Sequence, residues 1–297
     1  MKVFLTGVTG FVGKNVLRQL LLEGHNVRAL VREPDQATAL VHERVELVAG
    51  DVVEDAKLEL GMQDCDAVIH LVGIIVEKGK NTFERVHHIG TRHVVEAAKR
   101  KNIKRFVHMS ALGARADGAA QYQVTKWRGE EEVRHSGIPY CILRPSLIFG
   151  PDDGFVTQMM QTMRTAPIFR PVPGDGTPKF RPVFIGDVAT CFVKALTVDA
   201  ATNQTVELGG ADEITLNQVL AEIARCADVH KPAVHIPMPL MMAGAAVMQA
   251  VLPNPPVTVD QLRMLREGST CDIAPMMRTF DIKPRGFTGC GRDETDV

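Results

Sequence analysis

A chain of 297 residues with 45% hydrophobic and 23% charged residues has globular composition and room for one large domain or two modest ones, unlike a disordered, collagenous or fibrous chain. Lys and Arg number 34 against 35 for Asp and Glu, a net charge of -1, so no global field attracts a polyanion and nucleic acid is not an expected partner. The six cysteines, Cys65, Cys141, Cys191, Cys226, Cys271 and Cys290, never form C-x-x-C, so no zinc or thioredoxin-type motif is written and they read as reduced thiols of a cytoplasmic protein.

The amino terminus passes from Met1 and Lys2 directly into Val3-Phe4-Leu5, and no export or organelle address is read there. Apolar runs then alternate with amphipathic runs, the pattern of parallel strands joined by crossover helices. A strand over Lys2 to Thr6 leads into Gly7-Val8-Thr9-Gly10-Phe11-Val12-Gly13 at the opening of a helix over Phe11 to Leu22. In this spacing Gly7 permits a tight turn, Gly10 lets backbone N–H groups approach a pyrophosphate, and Gly13 lets the helix pack closely on the sheet. A diphosphate then sits at the helix N-terminus beside Phe11 and Val12. Three glycines in a turn can also serve packing alone.

The second strand, Asn26 to Val31, ends in Arg32. A carboxylate here serves the ribose hydroxyls of NAD, whereas a guanidinium attracts a ribose 2′-phosphate, so NADP(H) is favoured over NAD(H). Glu33 and Asp35 oppose that preference, and a surface Arg without a ligand is the alternative. Strands follow at Val45 to Ala49 and Ala67 to Val72, then a helix over Thr82 to Arg100 carrying His87, His88 and His93. Adjacent histidines on a helix diverge and no carboxylate spacing completes a ligand set, so no metal is expected and solvated or capping roles account for them.

A fifth strand over Arg105 to Met109 ends beside Ser110. A helix over Gln121 to His135, stopped by Gly137 and Pro139, precedes a sixth strand over Tyr140 to Leu143. The strands are almost continuously apolar, as in a sheet covered on both faces. Tyr122 and Lys126, four apart, project from one helix face. A phenol of pKa about 10 relays protons poorly at neutral pH unless a nearby ammonium favours the phenolate, which Lys126 can supply. Ser110 can hydrogen-bond the same substrate oxygen. A chance Tyr and Lys at this spacing is the competing reading; position after strand five, where the sheet edge faces the nicotinamide end of a bound dinucleotide, favours chemistry.

After Gly150-Pro151 prolines at 167, 171, 173, 178 and 182 interrupt short, mixed elements. We draw a boundary near 150, giving a dinucleotide-binding domain over 1–150 and a smaller substrate or partner region over 151–297. The helix-like stretch Val188 to Leu196 is expected to return to the sheet, which makes the second region partly interleaved. The run Leu240 to Leu252 is apolar but much shorter than the roughly 20 residues of a membrane-spanning helix. Core packing is its leading role, with a substrate pocket, a partner surface or a membrane-edge patch as alternatives. The polar tail from Gly286 to Val297 is expected to fray.

These residues resemble the short-chain dehydrogenase/reductase superfamily in its extended and atypical branches, over essentially the whole chain. Beside the glycine loop and Tyr122-x-x-x-Lys126 stand Gly50-Asp51-Val52, Arg144-Pro145-Ser146-Leu147-Ile148-Phe149-Gly150-Pro151, Arg181-Pro182-Val183 with Asp187-Val188-Ala189, and Pro256-Val257-Thr258-Val259-Asp260-Gln261-Leu262. Together they look most like the atypical subgroup of the NADPH-binding 39 kDa accessory subunit of respiratory complex I. The resemblance implies an α/β, doubly wound parallel Rossmann sheet. It further implies that Asp51 and Val52 contact the adenine, that the Leu71-Val72-Gly73 backbone lines the cofactor, that Lys126 also holds the nicotinamide ribose, and that Pro145 to Ile148 border the carboxamide. Two departures stand out. His87 occupies the place of a common asparagine, and the interval from Ser110 to Tyr122 is short for a sugar-nucleotide epimerase.

The leading function is an NAD(P)(H)-binding oxidoreductase or epimerase with Tyr122 as acid and base, Lys126 lowering its pKa and Ser110 orienting the reacting oxygen of an unidentified small molecule. The alternative is a non-catalytic NADP(H)-binding accessory or assembly protein of a respiratory-type membrane complex. It would be cytoplasmic or peripheral to a membrane, with contact through 240–252 and no transmembrane helix.

Overall fold

The computed structural model describes residues 1–40, 42–54, 57–252 and 255–289. The chain forms two compact units, each assembled from three segments: 1–145, 186–208 and 274–282 in the first, and 146–185, 209–273 and 283 onward in the second. The boundary read near 150 stands beside these discontinuous units, in which the chain returns twice to the first.

In the first unit β1 (Lys2–Thr6), β2 (Asn26–Val31), β3 (Val45–Ala49), β4 (Ala67–His70), β5 (Arg105–Met109) and β6 (Tyr140–Pro145) alternate with α1 (Phe11–Leu22), α2 (Leu58–Gly61), α3 (Gly90–Arg100) and α4 (Gln121–Arg134). The sheet runs strand Gln204–Leu208, β6, β5, β4, β1, β2, β3, and every neighbouring pair is parallel. Strand order therefore reverses at β1, which puts the switch point at the carboxyl ends of β1 and β4, where open α/β sheets bind ligands. The expected doubly wound parallel sheet is present, with the strand Gln204–Leu208 added at its edge.

The apolar runs explain the layering. Phe4, Val68, Phe106 and Ile142 face one way and pack with Val94, Val95, Ala97 and Ala98 of α3 and Val133 of α4. The alternate positions Val3, Leu5, Ile69 and Val107 are equally buried. Each such side chain contributes about 2 kcal/mol on burial. Arg105 ties the sheet to the chain beyond the helix Ile185–Lys194, donating from Nε to the Ala195 carbonyl at 2.7 Å and from Nη1 to Thr202 Oγ1 at 2.6 Å.

Beyond small shifts at element ends, two elements depart from the sequence reading. The fourth strand stops at His70, because the Leu71–Val72 backbone leaves the ladder to lie against Gly7. The expected helix Thr82 to Arg100 divides into a π-helical turn, Glu84–Ile89, and α3. The widened turn brings the His87 carbonyl so close to α4 that a Cβ on Gly129 would meet its oxygen at 2.6 Å.

The second unit packs the helices Gly154–Thr165 and Leu216–Cys226 around Phe149, Val156, Met163, Val219 and Ile223. Lys231 Nζ closes the end of the first helix by donating to the carbonyls of Met163, Arg164 and Ala166. The helix Met238–Val251 overturns the core-packing expectation for 240–252: Leu240 is 65% exposed, Val247 64% and Val251 74%, and Ala245 is its one buried residue. The segment carries too little charge patterning to reveal from sequence which face, if any, is covered. Among the described residues no helix is long and apolar enough to cross a membrane. Cys65, Cys141 and Cys191 are free thiols, whereas Cys226 is disulfide-bonded, which corrects the reduced-thiol reading at that position. Cys290 and the tail 290–297 lie outside the described residues.

Candidate active site

The turn after β1 is built as its glycines require. Gly7 has φ +77°, and a Cβ there would stand 3.1 Å from both the Leu71 carbonyl carbon and the Val72 nitrogen. A Cβ on Gly13 would overlap the Gly7 carbonyl oxygen, so α1 can cross the turn this closely only with glycine there. Gly10 caps α1 without any side-chain hydrogen bond, and the first turn, with Phe11 and Val12, carries no acidic residue. Its backbone N–H groups and dipole thus present an uncompensated anion site.

The Leu71–Val72 backbone that abuts Gly7 continues to Gly73, where the second half of the site begins. A Cβ on Gly73 would lie 3.0 Å from Lys126 Nζ, and the same Nζ donates to the Met109 carbonyl at 3.0 Å. Lys126 therefore reaches from α4 across the carboxyl ends of β4 and β5. Ser110, the next residue, is 1% exposed and its Oγ is a buried polar atom without a hydrogen-bond partner among the described residues. Such orphaned groups are rare in native proteins. Tyr122, one turn before Lys126, has its ring nearly perpendicular to those of His87, 5.2 Å away, and Phe83, 5.8 Å away, between centroids.

Electrostatics separate the two groups of the pair. Burial lowers the Lys126 ammonium to about 8, with the Glu130 carboxylate one turn further on opposing the fall. Burial pushes the Tyr122 phenol up to about 12. The expected depression of Tyr122 by Lys126 is not met here, because the ammonium is directed at Met109 and desolvation of the phenolate dominates. Glu130 is fully buried and held by Arg144, Nε to Oε1 at 2.7 Å and Nη2 to Oε2 at 2.6 Å, and by Arg134 at 2.7 Å.

The remaining positions are more scattered. Asp51 accepts from the Val53 N–H at 3.2 Å, and Val52 is buried against Gly90. Arg32 is exposed at the end of β2. Pro145 ends β6 and accepts from the Leu112 N–H, whereas Ile148 pairs with Val183 in the second unit. His88 bridges Glu84 at 2.7 Å and Glu132 at 2.9 Å, while His93 Nδ1 lies 3.2 Å from the Val52 carbonyl oxygen. His87 is not solvated as expected: it is 1% exposed, its ring stacked on Phe83 at 5.4 Å. Sequence reasoning missed His87 and Glu130 as neighbours of the Tyr and Lys. The signal for Glu130 was its place four residues after Lys126; for His87 it was only the departure from asparagine.

A glycine turn, an uncapped helix and a buried lysine joined along one sheet edge describe a dinucleotide cradle, and the family described as NAD(P)H-binding matches over residues 7–166. The chain belongs to that family. This NAD(P)H-binding protein is 28% identical to the mitochondrial NADH dehydrogenase [ubiquinone] 1 alpha subcomplex subunit 9 of Arabidopsis thaliana, over 95% of this chain and 74% of that one. It is 31% identical, over 56% of each chain, to the 4-hydroxy-2-methyl-3-oxo-4-farnesyl-3,4-dihydroquinoline-1-oxide ketoreductase of Stigmatella aurantiaca, and so spans about half of that relative. Its fold is that of the UDP-glucose 4-epimerase of Thermotoga maritima, with a TM-score of 0.75 at 18% identity, covering 98% and 96% of the two chains. The resemblance to reductases, epimerases and complex I subunits holds, and the protein is of the NAD(P)-binding oxidoreductase and epimerase kind.

Proposed function

We propose that this protein is an NAD(P)H-dependent carbonyl reductase in which Tyr122 is the proton donor, Lys126 holds the nicotinamide ribose and Ser110 orients the carbonyl oxygen. One observation carries the reading: the contacts from Gly7 through Leu71, Val72 and Gly73 to Lys126 and Met109 form an unbroken line from the diphosphate turn to Ser110. NAD(P)H, when bound, supplies the hydride. The Ser110 hydroxyl donates to the substrate oxygen and so uses its orphaned capacity. Tyr122, whose phenol is held at about 12, keeps its proton at neutral pH and releases it to that oxygen as negative charge develops there. A protonated phenol suits reduction better than oxidation, which needs a base first. The ketoreductase relative supports a carbonyl substrate. NADP(H) is preferred to NAD(H) because Arg32 stands exposed at the end of β2, open to a 2′-phosphate.

The test is a fluorescence titration with NADPH and NADH. Gly10→Val should still fold once the Gly7 carbonyl oxygen, which the added Cβ would meet at 3.3 Å, gives by a few tenths of an ångström, yet lose at least about tenfold in affinity through obstruction of the anion site. Tyr122→Phe should bind NADPH and fail to oxidise it with any ketone that the unaltered protein accepts. No affinity for either nucleotide, or Gly10→Val binding undiminished, defeats the reading.

A second reading, an NADP(H)-binding accessory protein peripheral to a membrane complex, is favoured by the exposed helix Met238–Val251 and by the Arabidopsis relative. It expects nucleotide binding without ketone-dependent turnover.

A further inference from the structure

His87 bridges three parts of the first unit. Its Nδ1 lies 3.0 Å from Thr125 Oγ1 on α4, and its Nε2 lies 3.0 Å from both the nitrogen and the carbonyl oxygen of Ile74, the residue after Gly73. Its ring stacks on Phe83 and meets the Tyr122 ring edge-on at 87°. Two neutral tautomers are compatible with these contacts, since Nε2 can accept from the Ile74 N–H or donate to the Ile74 carbonyl. Donation of the Thr125 hydroxyl proton to the Gln121 carbonyl at 2.9 Å leaves Thr125 Oγ1 to accept from a His87 Nδ1–H. The Ile74 N–H then has the bare Nε2 as its acceptor. Burial first, then Lys126 on α4, lower His87 to about 2 against the Ile74 carbonyl, which favours the imidazolium, and His70 on β4 adds to the fall. A residue bonded in this way within a π-helical turn fits the tendency of such turns to sit at functional sites.

We propose that His87 is a positioning residue, a neutral Nδ1-protonated strut that pins the backbone after Gly73 to the helix of Tyr122 and Lys126 and holds the Tyr122 ring in one orientation. The proposal deepens the oxidoreductase reading and rests on it, since it gives the strut a cofactor-lining backbone to hold.

Two spectroscopic measurements and one titration test it. The chain has two tyrosines, so Tyr140→Phe labelled with 3-fluorotyrosine reports Tyr122 alone. A single narrow ¹⁹F resonance is expected, and His87→Phe, which keeps a ring but removes both hydrogen bonds, should shift or split it. NADPH affinity should fall about fivefold in that variant, the worth of one hydrogen bond. Imidazole ¹⁵N shifts should report Nδ1–H and no protonation down to pH 5. If His87→Phe does not fold, Thr125→Val removes the Nδ1 partner and supplies the same readouts. An unchanged Tyr122 resonance in a folded variant, an Nε2–H tautomer or an imidazolium at pH 5 overturns the strut. Absence of NADPH binding by the unaltered protein instead defeats the oxidoreductase reading, and the ¹⁹F and ¹⁵N results still decide the strut.

Discussion

Buried histidines dominate the first unit at the residue scale. His70 accepts or donates between Thr6 Oγ1 at 2.7 Å and Thr91 Oγ1 at 3.2 Å, and stacks on His108 at 5.4 Å, its register partner on β5. Both ring nitrogens of His108 are buried without hydrogen-bond partners among the described residues. Burial lowers His70 to about 3 and His108 well below the ordinary value, with neighbouring cations adding to the effect. Their folded-state values lie below those of the unfolded chain, so the unfolded state binds more protons as pH falls below about 6.5. Stability is therefore complete above that pH and declines beneath it, by about 1.4 kcal/mol per pH unit for each histidine kept neutral. Urea unfolding at pH 7, 6 and 5 checks this. His108→Phe should reduce the slope by one histidine, and an equal slope in that variant contradicts the assignment.

At the scale of elements, α4 carries Tyr122, Lys126 and Glu130 along one stripe, and β6 supplies Arg144 beneath it. The Arg144–Glu130 pair fixes the helix to the strand. Removing one partner of a buried pair leaves the other uncompensated, so Glu130→Gln should destabilise the protein by about 3 kcal/mol. It should also lower the Lys126 ammonium further, because the opposing carboxylate charge is lost. Thermal unfolding measures the first effect, and the pH dependence of NADPH binding the second. Tyr122 and Lys126 were legible in the sequence because a four-residue spacing puts side chains on one helix face wherever the helix lies. The counterion was not, since Arg144 meets Glu130 only through the packing of a helix on a strand that follows it in the chain. The π turn was equally hidden: Glu84 to Ile89 has ordinary helical periodicity, and its widening answers to the approach of α4 at Gly129.

Over the whole molecule, the first unit brings the glycine turn and the buried Lys126 to one sheet edge, and the second exposes an uncharged helix. Under the accessory reading that helix is the contact surface. Leu240→Glu with Val247→Glu, both exposed, should change stability by no more than about 0.5 kcal/mol each. NADPH affinity should stay the same, while co-sedimentation with membranes carrying the complex should disappear. Failure of the unaltered protein to co-sediment removes that reading without touching the reductase proposal.

The sequence by itself determined the parallel α/β sheet and the turn at Gly7, because apolar periodicity and the steric demands of glycine are local properties that survive in any context. It also placed Tyr122 and Lys126 on one face. Only the tertiary structure decided that Lys126 spans Gly73 and Met109, that His87 is buried between Ile74 and Thr125, that Gln204–Leu208 joins the sheet, and that the helix Met238–Val251 is exposed. Those outcomes depend on which distant segments meet, and burial, desolvation and hydrogen-bond completion are settled by those meetings.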